Sequence, residues 1–442
     1  MNKNIKKMLI AALLAAIIAF SSGCSKQRDY GENFNLETDC QYSYADSFTD
    51  WKKVQSDGNG QYILKNKFIY YYNTEKKTLA PLCNKANCLH DMETDKDKLI
   101  DCNAYIPETN KEYIQYYDGY VYYISSFDNA LYRVSKDGSK KDKIFKTDMM
   151  VHNWLIHRGY LYYELQTHYY GEDKSTNVYS KSILKSVELS SNMSEKESDV
   201  IFESDEEHSA FGIYKLTAYK NYLCYELMAN EKDFEMTTQE SWFAQLYSPH
   251  YLYNIDTREN KVIPTPKCNI SPRCHLSSVI FLEDKMLLRL YDDFQGTEYK
   301  LPIYSINYDL TEQKIWLDGV EQGKFEQTYD DYVIISDAQL HYDTIVTEEG
   351  TYMDVLKDDK PCINVEIYSS DAKRVSYFVY PMNVNGNFNG FGPDGVNVEF
   401  DEDDNSWSVY ELNFKDVLNC RGEEVKLDRV NTRRFGPLNG VN

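Results

Sequence analysis

Hydrophobic and polar positions along this chain fall into three regimes. Met8 through Phe20 is an unbroken apolar run of thirteen residues behind a basic head of Lys3, Lys6 and Lys7. A polar stretch follows, opening with Ser25-Lys26-Gln27-Arg28-Asp29-Tyr30-Gly31-Glu32-Asn33. Beyond it a period-two alternation takes over, in a unit that recurs. A Tyr-rich strand starts after Asp, Asn or Gly, and a second strand further on ends in a polar turn. The clearest copy is Asp118-Gly119-Tyr120-Val121-Tyr122-Tyr123-Ile124, then Leu131-Tyr132-Arg133-Val134, then Lys136-Asp137-Gly138-Ser139. Arg158 to Tyr163 with Ile183 to Leu189, Asn221 to Tyr225 with Tyr251 to Asp256, and Asp284 to Leu288 with Ile303 to Asn307 repeat it. Weaker copies begin at Lys65 and Asp331, and a last one ends at Trp407 to Leu412. Alternation bounded by turn residues predicts antiparallel strands rather than helices.

One such unit is too small to bury its own apolar face, whereas several stacked around an axis bury one another. The expected fold is therefore all-β: a single β-propeller of about seven blades between residues 56 and 431, with six or eight also compatible with the spacing. Two stacked β-sandwich domains are the alternative. The Gly119-Tyr120-Val121-Tyr122-Tyr123 rhythm, followed by Leu131-Tyr132-Arg133-Val134 and Asp137-Gly138-Ser139, resembles the TolB-like and low-density-lipoprotein-receptor-like propeller repeats of bacterial surface lipoproteins. That resemblance implies an interaction platform and supplies no ligand.

A membrane-spanning helix needs about 20 apolar residues, so the run ending at Phe20 reads as a secretory leader. Ser21-Ser22-Gly23-Cys24 resembles the lipobox of bacterial lipoproteins, with Ser21 where that motif usually has Leu. The resemblance implies a diacylglyceryl anchor on Cys24 in a protein facing outside the cytoplasm; plain secretion is the alternative. The expected organisation is a signal peptide (1–23), a lipidated cysteine and tether (24–55) and a propeller domain (56–442). The last carries a Cys-rich insertion (83–102) and a long loop (228–250).

Forty Tyr and nineteen Phe favour strands, since aromatic residues suit a pleated, half-buried surface. The formal charge is −22, and loss of the three leader lysines takes it to −25. Such a surface repels phosphate backbones, so a nucleic-acid partner is excluded; the expected partners are the membrane, through Cys24, and an extracellular peptide, glycan or protein.

Ten cysteines in an exported chain suggest disulfides. Cys83, Cys88, His90 and Cys102 also match the ligand set of a structural zinc site, though C-x4-C-x-H-x11-C is not a zinc-finger spacing. The cluster is similar to a Cys-rich signature in some clostridial-type lipoproteins, which fixes no function. The alternative is a disulfide within the trio, the third thiol being free or paired with Cys40. Cys268 and Cys274 flank a short turn that a bond would close. Cys362 and Cys420 would meet only if the last two units are neighbours, and Cys224 reads as a small core residue.

No G-x-S-x-G elbow and no H-E-x-x-H motif occurs. Gly319 to Lys324 falls one residue short of a phosphate loop and reads as a turn, and Asp401 to Asn405 as a solvated tip. In the long loop, Phe234, Trp242, Phe243, Tyr247 and His250 stand among polar residues, and exposed rings on a rigid scaffold serve recognition. Trp242, Phe243, Tyr247 and His250 are thus the ligand-binding candidates, with His168-Tyr169-Tyr170 as a second aromatic segment. The expected function is non-catalytic binding, with no catalytic residues and no cofactor beyond the candidate zinc. The alternative is a polysaccharide- or peptide-acting hydrolase or lyase at the central channel, for which His152, His157, His168 and His250 are the first residues to inspect. A purely structural envelope protein is the third class.

Overall fold

A computed structural model describes residues 54–434, except 108–112, 171–177, 206–207, 232–245, 268–273, 293–298, 322–324, 340–341, 347–351, 357–361, 382–387, 389, 393 and 403–405. The leader, Cys24, Cys40, Trp242 and Phe243 lie outside the described residues.

Seven sheets follow one another along the chain as blades. The first is β1 (Val54–Ser56), β2 (Gly60–Lys65), β3 (Phe68–Asn73) and β4 (Thr78–Pro81). The second is β5 (Gln115–Tyr117), β6 (Tyr120–Ser125), β7 (Ala130–Ser135) and β8 (Lys141–Lys146). The third is β9 (Val151–His157), β10 (Tyr160–Tyr170), β11 (Val178–Glu188) and β12 (Asp199–Glu203). In the fourth, β13 (His208–Tyr219) and β14 (Tyr222–Glu231) precede a short β15 (Leu246–Tyr247), then β16 (His250–Asn254) and β17 (Asn260–Val262). The fifth is β18 (His275–Phe281), β19 (Met286–Tyr291), β20 (Lys300–Ile306) and β21 (Lys314–Glu321). The sixth has β22 (Phe325–Tyr329) and β23 (Tyr332–Gln339), a separate hairpin β24 (Tyr342–Val346) and β25 (Tyr352–Leu356), then β26 (Cys362–Ser369) and β27 (Arg374–Pro381). The seventh is β28 (Val396–Glu402) and β29 (Ser406–Asn413), with β30 (Arg421–Glu424) crossing to pair with β27 before β31 (Asp428–Arg434) completes it. The arrangement is the expected seven-bladed, all-β propeller.

Local chemistry explains the hairpins. Asp118 (φ 43°) and Gly119 (φ 75°) both take left-handed backbone between β5 and β6, the twist-matched form of a two-residue turn. Arg158 and Gly159 repeat this between β9 and β10. The inner strands then bury both faces, because each blade is sandwiched by two others. In β6 every residue after Tyr120 is buried. Successive apolar clusters tie the blades in order. Ile124, Leu131 and Phe145 meet Trp154 and Tyr163 between the second and third. Tyr162 and Leu184 meet Ile213 and Tyr225 between the third and fourth. The largest cluster joins Tyr62, Tyr70 and Tyr72 of the first blade to Trp407 and Val409 of the seventh, closing the ring.

Buried polar groups act as struts across these seams. Glu164 on β10 accepts from Asn153 Nδ2 (2.8 Å), Ser182 Oγ (3.1 Å) and the Ile213 amide of the next blade (2.7 Å). Gln115, 2% exposed, accepts from the Ile156 amide at 2.7 Å and donates to the Ile156 carbonyl. Gln115→Ala leaves both main-chain groups buried without a partner, and is expected to cost about 2 kcal/mol. Urea denaturation checks this, with an unchanged midpoint counting against the strut.

Because strands alternate in direction, connections between first and second strands emerge at one end of the ring, and those between second and third at the other. The first kind is a two-residue turn at 118–119, 158–159, 220–221 and 330–331. The second kind is long at 171–177, 232–249, 292–299 and 340–361. These long second-to-third connections thus share the end of the ring opposite the two-residue turns.

Candidate metal centre

The segment between β4 and β5 folds against the outer edges of the first two blades. Beyond Leu82 the chain turns at Cys83, and the Asn84 amide bonds to the Gly138 carbonyl (3.2 Å), which also accepts from Asn103 Nδ2 (2.8 Å). Gly138 is needed for this approach, since a Cβ there would stand 2.6 Å from the Cys83 nitrogen. A helical turn at Lys96–Leu99, capped by the Asp95 side chain, delivers Cys102, whose amide bonds to the Leu99 carbonyl (2.9 Å). The returning chain pairs with the start of β3 through Ile69 N to Ala104 O (2.9 Å) and Ile106 N to Lys67 O (2.7 Å). Lys141 of β8 donates to the Cys102 (3.2 Å) and Tyr105 (2.8 Å) carbonyls.

This path gathers Cys83, Cys88, His90 and Cys102, spread over twenty residues of sequence, so that one ligand atom from each lies within 4.8 Å of all the others. His90 Nδ1 stands 3.7 Å from Cys102 Sγ. Ligands at zinc–sulfur and zinc–nitrogen distances in a tetrahedron stand roughly 3.5 Å apart, so the group is close to coordination geometry. The three thiols are free, and none is bonded to another. His90 holds a left-handed backbone (φ 53°), a conformation that His adopts more readily than most non-glycine residues. A cavity of about 200 Å³ lined by Ala86, Cys88, Leu89, His90, Leu99 and Cys102 opens at the cluster.

Electrostatics divide the four groups. Burial would raise the Cys83 thiol, but the Lys85 and Asn103 main chains and the Cys102 and Cys88 thiols outweigh it and bring its pKa down. Cys102 is pushed up by burial and by the charge of Cys83. Burial, with Arg433 and against Asp91, lowers the His90 pKa, the direction that favours the neutral imidazole a metal ligand requires.

The structure disperses the other candidates. Tyr247 is 36% exposed and sits on β15, opposite Ala229 of β14. His250 is buried at 2% exposure, opposite Glu226 on β14, and therefore offers no ring to solvent. Burial, then the charges of Lys215 and His275, hold its pKa well below the usual imidazole range. Partly exposed Lys215 reaches the buried Glu226 at 3.1 Å and the Ser277 carbonyl of the next blade, and so ties two blades together. His157 is fully buried and held down to about 3, its Nε2 bonded to the Lys220 carbonyl at 2.7 Å. The side chain of His168 lies outside the described residues, as do residues 403–405 of the acidic tip.

Gly319 lies within β21, and its phosphate-loop resemblance ends there. Cys224 is buried and free. Cys274 is disulfide-bonded, to a partner outside the described residues. Cys362 and Cys420 are both free. Cys362 opens β26 opposite Pro381 and Cys420 directly precedes β30 beside Tyr377, with β27 lying between β26 and β30, which keeps them apart.

Sequence reasoning missed Asp91. Its carboxylate, 3% exposed, accepts from Tyr70 (2.9 Å) and from both Arg433 Nε and Nη2 (2.6 Å each). An acidic residue next to a cluster ligand is the only signal the sequence carries, and it does not point to Arg433.

No family model matches the chain, and no curated protein matches it. Solved structures with a similar fold do exist. An oligogalacturonate lyase from Vibrio parahaemolyticus is 12% identical, covering 83% of this chain and 89% of its own at a TM-score of 0.43. The tricorn protease is 10% identical at 0.48, matching 91% of this chain with 35% of its own. TolB from Acinetobacter baumannii is 11% identical at 0.31, covering 82% and 76%. At these identities the likeness is one of fold, and no functional residue is carried over from any of them.

Proposed function

We propose that this chain is a non-catalytic binding propeller, carried outside the cytoplasm on a lipid at Cys24, whose loop-bearing end recognises a peptide, glycan or protein. One observation carries this reading: the long connections of four blades leave from the same end of a rigid ring. A scaffold so stapled by apolar seams and buried struts presents loops without itself deforming. His250 and Glu226 support it too, because an imidazole and a carboxylate shut inside a seam cannot meet a substrate. Tyr247, 36% exposed on β15 beside the long connection of the fourth blade, is a described aromatic residue placed to contact a ligand.

Glycan and peptide arrays probed with the purified protein test the reading. A ligand should emerge intact, and Tyr247→Ala should weaken it about ten-fold, as expected of a peripheral aromatic contact. A ligand that is cleaved or eliminated would establish the lyase or hydrolase alternative instead. Cys24→Ser should move the protein from the membrane fraction to the soluble fraction; an unchanged distribution would remove the anchor.

A further inference from the structure

We propose that Cys83, Cys88, His90 and Cys102 bind one zinc ion, and that the loaded segment is a clasp holding the first, second and seventh blades together. The donor set is three sulfurs and one imidazole nitrogen, all from the protein, which is the closed four-coordinate arrangement of a structural site. The four atoms already lie within 4.8 Å of one another. Binding requires only that the thiols release their protons to solvent and that the cluster contract by about an ångström. Three thiolates and a dication leave one net negative charge. Lys141 of β8, bonded to the carbonyls of Cys102 and Tyr105, lies against the segment to offset it.

The clasp follows from what the ligands hold. Cys83 is pressed on the Gly138 turn of the second blade, and Cys102 leads directly into the pairing of Ala104 and Ile106 with β3 of the first. His90 is followed by Asp91, which the structure places between Tyr70 of the first blade and Arg433 of the seventh. Fixing His90 therefore fixes Asp91, and through it the last strand of the ring. Between Cys88 and Cys102 the segment buries Leu99 but leaves Leu89, Met92 and Ile100 exposed at 56%, 53% and 63%, and its helical elements are three and four residues long.

The test begins with metal analysis of the protein purified without reductant. One zinc per chain is expected, with Cys83, Cys88 and Cys102 alkylated only after chelation. Absence of zinc together with a disulfide among these cysteines overturns the site. Cys88→Ser and His90→Ala should each lower zinc content at least about ten-fold, whereas His90→Cys, which preserves four soft ligands, should retain it. For the clasp, reversible chelation of the unaltered protein avoids variants that fail to fold. Hydrogen exchange in β31 should rise about ten-fold on chelation and fall back when zinc is restored. In Arg433→Ala the zinc should remain, while the response of β31 to chelation disappears. Zinc that can be removed without any change in β31 would leave a metal site and overturn the clasp.

Discussion

Raising the pH from 10 to 12 is expected to unfold the ring cooperatively, with the buried share of the tyrosinate absorbance and the loss of β-sheet circular dichroism sharing one midpoint. The cause is the residue type that builds the blades. Tyr122 is 2% exposed, and burial, partly offset by Arg133, pushes its pKa up to about 12. Burial raises Tyr123, Tyr163 and Tyr225 further still. Tyr70 rises through burial and then the charge of Asp91. In the unfolded chain these phenols lose their protons near 10. Between the two values the unfolded state binds fewer protons, so stability falls as pH rises. The stabilisation is complete below pH 10 and disappears through the folded-state values. Each tenfold gap in proton affinity is worth about 1.4 kcal/mol, and several such groups together exceed the ordinary stability of a domain, about 5–15 kcal/mol. If the full tyrosinate signal of the forty rings developed near 10 while the sheet persisted, the buried rings would not be sealed as described.

The blades were legible because each Tyr-rich strand begins at a turn whose residues tolerate left-handed backbone. The first blade shows where that reading slips. Asn66-Lys67 has the same turn geometry as Asp118-Gly119, so Lys65 looked like the start of a unit. In the ring, that turn instead joins the second and third strands of its blade. The true counterpart of Gln115 is Gln55, whose side chain accepts from the Tyr116 amide just as Gln115 accepts from Ile156. Both turns are sterically equivalent, and only the neighbouring blade distinguishes them.

The cysteine cluster was legible as a group, since its members lie close in sequence. Whether those thiols bond or converge on a cation depends on a few ångströms that spacing does not determine. Asp91 and Arg433 were invisible because 342 residues separate them. His250 was misread from its setting: polar neighbours in sequence suggested a loop, but it opens β16 and turns into a seam. The periodicity of a chain reports which residues are buried along a strand, and does not report which blade they are buried against.

Trp407→Ala should split the unfolding of this protein into two transitions, the first of them opening the ring. Trp407 is 1% exposed and meets Tyr70 of the first blade edge-on, with ring centroids 5.0 Å apart. Truncating a buried tryptophan typically costs about 3–5 kcal/mol. A similar loss at Trp154, stacked on Tyr113 between the second and third blades, is cushioned by the short link at 147–150 that keeps those blades side by side. The seventh and first blades have no such link. Among the described residues they share no strand, and the chain between them runs through every other blade. Their seam rests on the cluster around Trp407, on Arg433 with Asp91, on Lys77 with Glu411, and on Gln61, which donates to Asp394 and to the Val396 carbonyl (3.2 Å). Reclosing it means bringing the ends of a very long segment together, which carries the largest loop entropy of any seam in the ring. Hydrogen exchange in denaturant below the main transition should therefore show β28, β29 and β31 released first in Trp407→Ala, together with β1 to β3. Trp154→Ala should shift a single transition downward. If Trp407→Ala also unfolds in one step with an unchanged denaturant slope, the seam is no weaker than the others and the ring behaves as one cooperative unit.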